Sequence, residues 1–266
     1  MKITIFTSNQ ARHLHLINRL AEIADSTYAV IEANTVFPGK IKDFFNNSNS
    51  FRTYFTQVLV AESKLFGSVN FLDSRINTLI LKSGDLNLIE RNILKDAMDA
   101  DVFVVFGSSF IKGWLIEELV AKNAINIHMG VSPYYRGSSC NFWALYDNNP
   151  HLVGATIHRL SRGLDSGDMY YHALPTTSDC SSPFEFSMRA VKAAHISLVQ
   201  RIASAYFVNA STTPQNAERQ IRYTKNADFT NAVIENYLAR NDAIESVEHL
   251  LNERMDRSLY LDPFYY

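Results

Sequence analysis

The sequence predicts an α/β protein: a mostly parallel sheet flanked by helices, with a small accessory segment at the C-terminal end. Three observations carry that expectation. Strand-like and helix-like stretches alternate from Lys2 onward. The run at 101–107, DVFVVFG, is apolar without a break, as in a parallel strand covered on both faces. Only after Val153 do two strands follow one another directly.

In chain order, KITIFTS (residues 2–8) alternates and then turns polar. QARHLHLINRLAEIAD next places Leu16, Ile17, Leu20 and Ile23 at helical spacing, so a strand leads into a helix. TYAVIEA (27–33) and INTLILKS (76–83) are further β-rich runs, and the stretch between them is polar at FNNSNS and helix-like in FRTYFTQVLVAESKLFG. DLNLIERNILKDAMDA sets Leu88, Ile89, Ile93, Leu94 and Ala97 on one helical face, with Asp85 or Asn87 as N-cap. A helical GWLIEELVAKN separates DVFVVFG from AINIHMGVSPYYRG (124–137). VGATIHRL and MYYHALP, joined by SRGLDSGD, read as a hairpin or its extended equivalent. The long helix that follows has Ser182 as N-cap, Pro183 at its first position and Glu185 placed to close a capping box.

These units predict right-handed βαβ connections and a catalytic domain over residues 1–209. Beyond it, ASTTPQNAERQ (210–220) reads as a linker within an accessory segment over 210–266. That segment is expected to hold two short helices and to end in exposed aromatics, LYLDPFYY.

Composition excludes more than it assigns. With 47% hydrophobic and 20% charged residues the chain is globular, and its net charge of −2 gives no basic footprint for a nucleic-acid backbone. Cys140 and Cys180 lack CxxC spacing and read as structural thiols in a reducing, cytoplasmic setting. The opening apolar run is too short for a signal peptide, and none approaches the ~20 residues of a membrane span.

Motif absences come next. TSNQARH carries neither GxGxxG nor GxxxxGK[ST], and FGSSF lacks the GxSxG pattern, so dinucleotide-binding, P-loop and α/β-hydrolase readings lose support. His13 and His15, two apart in a helix, face different ways and suggest no metal site. Asn126 and His128 are two apart on a strand, so both side chains leave one face, at the carboxyl end where open α/β sheets form ligand crevices. That pairing favours function over packing. GLDSGD (163–168), taken alone, is a turn in which Asp and Gly supply unusual backbone angles, and His158, sharing a face with Thr156, reads as a hydrogen-bonded strand histidine.

INIHMGVSPYYRGSSCNFWAL with VGATIHRLSRGLDSGDMYYHALP resembles the folate-dependent formyltransferase family, which includes methionyl-tRNA, glycinamide ribonucleotide and sugar-nucleotide N-formyltransferases. The resemblance rests on Asn-x-His, Tyr-Arg-Gly, Gly-x-Thr-x-His and Leu-Asp-x-Gly-Asp, in order, and covers residues 76–205 well. It implies the Rossmann-like formyltransferase fold, 10-formyltetrahydrofolate as co-substrate, no metal, and a catalytic trio of Asn126, His128 and Asp165. The trio would stabilise the oxyanion of formyl transfer and relay a proton. The resemblance further implies folate contacts at Phe106, Gly107, Ser109, Phe110 and Ile111, with Arg162, Gly163 and Leu164 closing the other side. The family's common Ser-Leu-Leu-Pro loop appears here as GVSP, with Gly130 and Ser132, and this loop is expected to shape the acceptor pocket.

The acceptor is read from the tail. A short, helical, non-basic C-terminal segment is most similar to the sugar-nucleotide N-formyltransferases, which implies a nucleotide-linked amino deoxysugar of surface-polysaccharide (O-antigen, lipopolysaccharide) synthesis and a homodimer with the aromatic tail at a subunit contact. Lys82 and Arg136 are then candidate diphosphate contacts, and Tyr134, Tyr135 and Trp143 candidates to flank sugar or base. Methionyl-tRNA or glycinamide ribonucleotide as acceptor, a formyltetrahydrofolate hydrolase, and a metal hydrolase on His128, His158, Asp165 and Asp168 stay open at this point.

Overall fold

A computed structural model describes residues 1–33, 48–68 and 71–266. Its elements run β1 (Lys2–Ser8), α1 (Ala11–Ala21), β2 (Ser26–Ala33), α2 (Asn49–Phe66), β3 (Ile76–Lys82), β4 (Val102–Phe106), α3 (Gly113–Ala121), β5 (Ile125–His128), β6 (Tyr135–Gly137), α4 (Cys140–Tyr146), β7 (Ala155–Arg159), β8 (Met169–Leu174), α5 (Pro183–Ala203), α6 (Tyr206–Asn209), β9 (Arg222–Thr224), α7 (Asn231–Arg240), α8 (Ile244–Arg254) and β10 (Phe264–Tyr265).

The main sheet has the order β10-β8-β7-β5-β4-β1-β2-β3, and β6 and β9 form a separate parallel pair. Pairing is parallel from β5 through β4, β1 and β2 to β3, while β7 runs antiparallel to both β5 and β8. The hairpin expected from VGATIHRL and MYYHALP is β7–β8.

Strand alternation sorts the core onto two faces. Ile3, Ile5, Ala29, Ile31, Val104 and Phe106 pack with Leu16, Ile17 and Leu20 of α1 and Leu198 of α5. Their neighbours Phe6, Val30, Phe103 and Val105 face Leu115 and Leu119 of α3 on the other side. Burial on both faces is why β4 tolerates no polar residue.

Several expectations need correction. DLNLIERNILKDAMDA forms no long helix: it begins with a 3-10 turn, Asp85–Leu88, and continues as turns closed by bonds such as Ile93 N–H to Glu90 O. Leu94 and Ala97 are buried as expected, but Leu88 and Ile93 are exposed. Asn87 holds the segment to the next loop, donating to Phe110 O and accepting from Lys112 N–H. The Ser182 hydroxyl does cap α5 by accepting from Glu185 N–H, but the Glu185 carboxylate reaches back to the N–H and hydroxyl of Ser181 rather than to the cap. The expected polar FNNSNS stretch begins outside the described residues.

The tail is packed inside its own chain. β10 adds to the sheet beside β8, Tyr260 is 8% exposed with its hydroxyl donating to His151 O, and Arg189 lies over the Tyr266 ring. The expected linker is also engaged, since Thr213 bridges Met169; just beyond it β9 pairs with β6.

Candidate active site

β5 delivers Asn126 and His128 to one side, opposite His158 and Thr156 of β7 in register. The strand ends against a crowded turn. A side chain on Gly130 would put its Cβ 2.6 Å from Cys140 Cβ and 2.8 Å from His128 Nε2, so the glycine of GVSP makes room for Cys140 beside the imidazole. The rest of that loop is core. Thr156 Oγ1 donates to Gly130 O and accepts from Ser132 N–H, His172 Nε2 meets Ser132 O at 2.9 Å, and Val131 and Ser132 are fully buried. The loop thus supports the strand end instead of shaping an acceptor pocket.

The 161–168 loop brings the carboxylate. Asp165 sits in the left-handed region at φ 47°, a conformation Asp tolerates better than most residues. Gly167 is required by packing, since a Cβ there would lie 1.7 Å from Arg159 O. Gln215, from the expected linker, donates its amide to Asp165 O (2.8 Å) and Gly167 O (2.9 Å), and Arg136 donates to Leu164 O. So held, Asp165 Oδ2 lies 3.2 Å from His128 Nδ1, and Oδ1 lies 3.4 Å from Asn126 Nδ2.

Two neighbouring histidines are driven in opposite directions. Burial works against a charged His128, yet the Asp165 carboxylate, helped by Cys140, overcomes it and holds the imidazole well above its ordinary pKa. Burial likewise resists ionisation of Asp165, but His128 holds its carboxyl below the usual range. At His158 burial wins, lowering it to about 4. Its Nδ1 meets Arg159 O at 2.7 Å, so Nε2 is left to accept from Asn126 Nδ2 at 2.9 Å. A neutral His158 thereby orients the Asn126 amide. The second amide N–H has only the long contact to Asp165, which an incoming oxygen can displace.

A cavity of about 460 Å³ opens on this group. Phe106, Gly107, Ser109, Phe110 and Ile111, expected as folate contacts, line it together with Gly163 and Leu164. The segment is anchored by a residue the sequence reading passed over. Glu32, 2% exposed at the end of β2, accepts from Ser109 N–H (2.5 Å), Ser109 Oγ (2.9 Å) and Gly84 N–H (2.7 Å). Gly107, at φ 69°, lets the turn rest on His13, whose Nε2 would lie 2.5 Å from a Cβ there. The aromatic end of the cavity is lined by Tyr54, Phe142, Phe184, Phe229 and Tyr237.

Other candidates lie elsewhere. Arg162 forms a two-pronged pair with Glu117 of α3 and does not line the cavity; neither does Lys82. Arg136 grips the Asp165 loop. Tyr135 donates to Asp147, Tyr134 to Leu259 O, and Trp143 lies under Arg222, so all three are packing residues. The sequence carried one signal for Glu32, a lone charge in an apolar strand, and none for Gln215, whose role depends on a contact fifty residues away in the chain.

A donor amide, a carboxylate-paired imidazole and no nucleophile elbow suit stabilisation of an oxyanion with proton relay. Residues 62–202 match the family model described as Formyl transferase. A methionyl-tRNA formyltransferase of Desulforamulus reducens is 30% identical over 101 residues, 38% of this chain and 32% of that protein, so the match spans about a third of the curated relative. In fold the chain is similar to a sugar N-formyltransferase from Shewanella (TM-score 0.51, 17% identity, 86% of this chain and 78% of that one). It is equally similar to glycinamide ribonucleotide transformylase 1 from Symbiobacterium toebii (TM-score 0.51, 13% identity, 81% and 94%). The matched segment holds β4, β5, β7 and the Asp165 loop, and with them the whole trio; the chain belongs to the formyl transferase family.

Proposed function

We propose that this site transfers the formyl group of 10-formyltetrahydrofolate to the amino group of a nucleotide-linked amino deoxysugar. The observation that supports it is the convergence of Asn126, His128 and Asp165 on one cavity, which the Phe106–Ile111 segment and a cluster of aromatic side chains also line. The donor's ring system is assigned to the Phe106–Ile111 side, a slot lined by backbone and apolar side chains with Glu32 holding its wall.

In this reading Asn126 and the protonated His128 donate to the formyl oxygen as negative charge develops there. Asp165 keeps His128 charged and oriented and relays the proton the attacking amine releases, directly or through water, to N10 of the tetrahydrofolate as the formyl C–N10 bond breaks. A small amine is supported by the chain's net charge of −2, which does not suit a tRNA backbone. Incubation with 10-formyltetrahydrofolate and a panel of dTDP- and UDP-linked amino deoxysugars, read by mass spectrometry, tests the proposal. A formylated sugar is expected, and formylation of methionyl-tRNA or glycinamide ribonucleotide alone would overturn it.

A further inference from the structure

We infer that the aromatic end of the cavity is the acceptor's ring-binding chamber, and that Tyr54 and Tyr237 read its hydroxyls. This inference rests on the proposed function. The chamber is built from four places in the chain: Tyr54 of α2, Phe142 of α4, Phe184 of α5, and Phe229 with Tyr237 in and before α7. Its rings pack edge to face, Phe142 to Phe229 at 4.7 Å, Phe142 to Tyr237 at 5.1 Å, and Tyr54 to Phe184 and Phe229 both at 5.3 Å.

Two features set the chamber apart from ordinary core. Tyr237 is 6% exposed, yet among the described residues neither its hydroxyl nor that of Tyr54 has a hydrogen-bond partner, although both side chains line the cavity. Burial pushes both phenols up, so both stay neutral and able to donate. Buried phenols normally find partners, and here the cavity is what they face. The second feature is charge. Among the described residues Arg12 is the one arginine or lysine lining the cavity, and it is already paired with Glu62 at 3.0 Å. A diphosphate therefore gains nothing by entering, and the part of the acceptor that fits is uncharged.

Aromatic faces with a few hydroxyl donors suit a deoxyhexose: its C–H and methyl faces lie on the rings while its hydroxyls pair with the phenols. The nucleotide then projects outward, and the amine is left beside His128. The chamber also explains a division of labour. The family match covers residues 62–202, so the trio, the Phe106–Ile111 segment, Phe142 and Phe184 fall inside it, whereas Phe229 and Tyr237 lie beyond it and Tyr54 before it. Both phenols assigned to the acceptor's hydroxyls thus lie outside the shared segment.

Tyr54→Phe/Tyr237→Phe removes both hydroxyls and keeps both rings, so the fold is preserved. Kinetics with 10-formyltetrahydrofolate and the amino-sugar nucleotide that wild type formylates should show acceptor KM raised roughly tenfold, with kcat and the affinity for 5-formyltetrahydrofolate unchanged. An unchanged acceptor KM overturns the inference, as does an equal loss of folate affinity, which would make the chamber part of the donor site. If wild type binds 5-formyltetrahydrofolate but formylates no sugar in the panel, the acceptor reading itself fails and this inference falls with it.

Discussion

Replacing Asp165 with asparagine isolates the charge that the site depends on. The backbone should not move, because Asn is also at ease at the observed φ of 47°. His128 Nδ1 lies 3.2 Å from Asp165 Oδ2, and at an effective dielectric of about 20 that separation corresponds to an attraction of about 5 kcal/mol. Once it is gone, burial dominates an imidazole that is 6% exposed, and burial disfavours the charged ring. His128 should then give up its proton at a lower pH than the wild-type ring, whose pKa the carboxylate raises. Losing a charged donor to an oxyanion costs about 3–4 kcal/mol in comparable sites, or roughly 10²–10³ in kcat. The assay pairs steady-state formyl transfer with an NMR titration of the histidine resonances, His128 being assigned by its absence in His128→Gln. If His128 titrates alike in both proteins, or if kcat changes by less than about threefold, the assignment of Asp165 as the residue that charges His128 is wrong.

Three further expectations follow from the same geometry. Gln215→Ala removes two hydrogen bonds from the Asp165 loop and should lower kcat by roughly tenfold, with the His128 titration shifted toward its ordinary range; a loss of thermal stability alone, with both readouts unchanged, would reduce Gln215 to a structural residue. Glu32→Gln turns an amide N–H toward the donors that the carboxylate now accepts, so affinity for 5-formyltetrahydrofolate by calorimetry should fall roughly tenfold, while near-wild-type binding would detach Glu32 from the donor slot. The His128–Asp165 pair also links stability to pH. The raised imidazole contributes fully below its ordinary 6.5 and is lost as pH climbs through its folded pKa, and the depressed carboxyl contributes above its ordinary 3.8 and is lost as pH falls through its own. The stability difference between wild type and Asp165→Asn should therefore be greatest between 3.8 and 6.5 and shrink in alkali; a pH-independent difference would argue against the pair.

The expected helix over DLNLIERNILKDAMDA shows where pattern reading stops. Apolar spacing told which residues could lie on one face, and Leu94 and Ala97 are indeed inside. It did not register that the Asn87 side chain bonds to Phe110 and Lys112, which holds the segment in tight turns. The tail is the converse case. Its aromatics read as exposed because nothing local covers them, but β10 pairs with β8 and Tyr266 lies under Arg189 of α5, both far off in the chain, while Tyr265 stays exposed.

The sequence by itself determined the alternating strands and helices, the shared face of Asn126 and His128, and the loop that carries Asp165. Each of these follows from local rules: the two-residue period of a strand, and a turn that Asp and Gly accommodate readily. Tertiary structure alone decided that His158 stays neutral and aims Asn126, that Glu32 and Gln215 brace the two walls, that Arg162 turns outward to Glu117, and that five separated aromatics enclose one chamber. Protonation, bracing and enclosure depend on burial and on partners distant in the chain, and no short window of sequence contains both ends of such a contact.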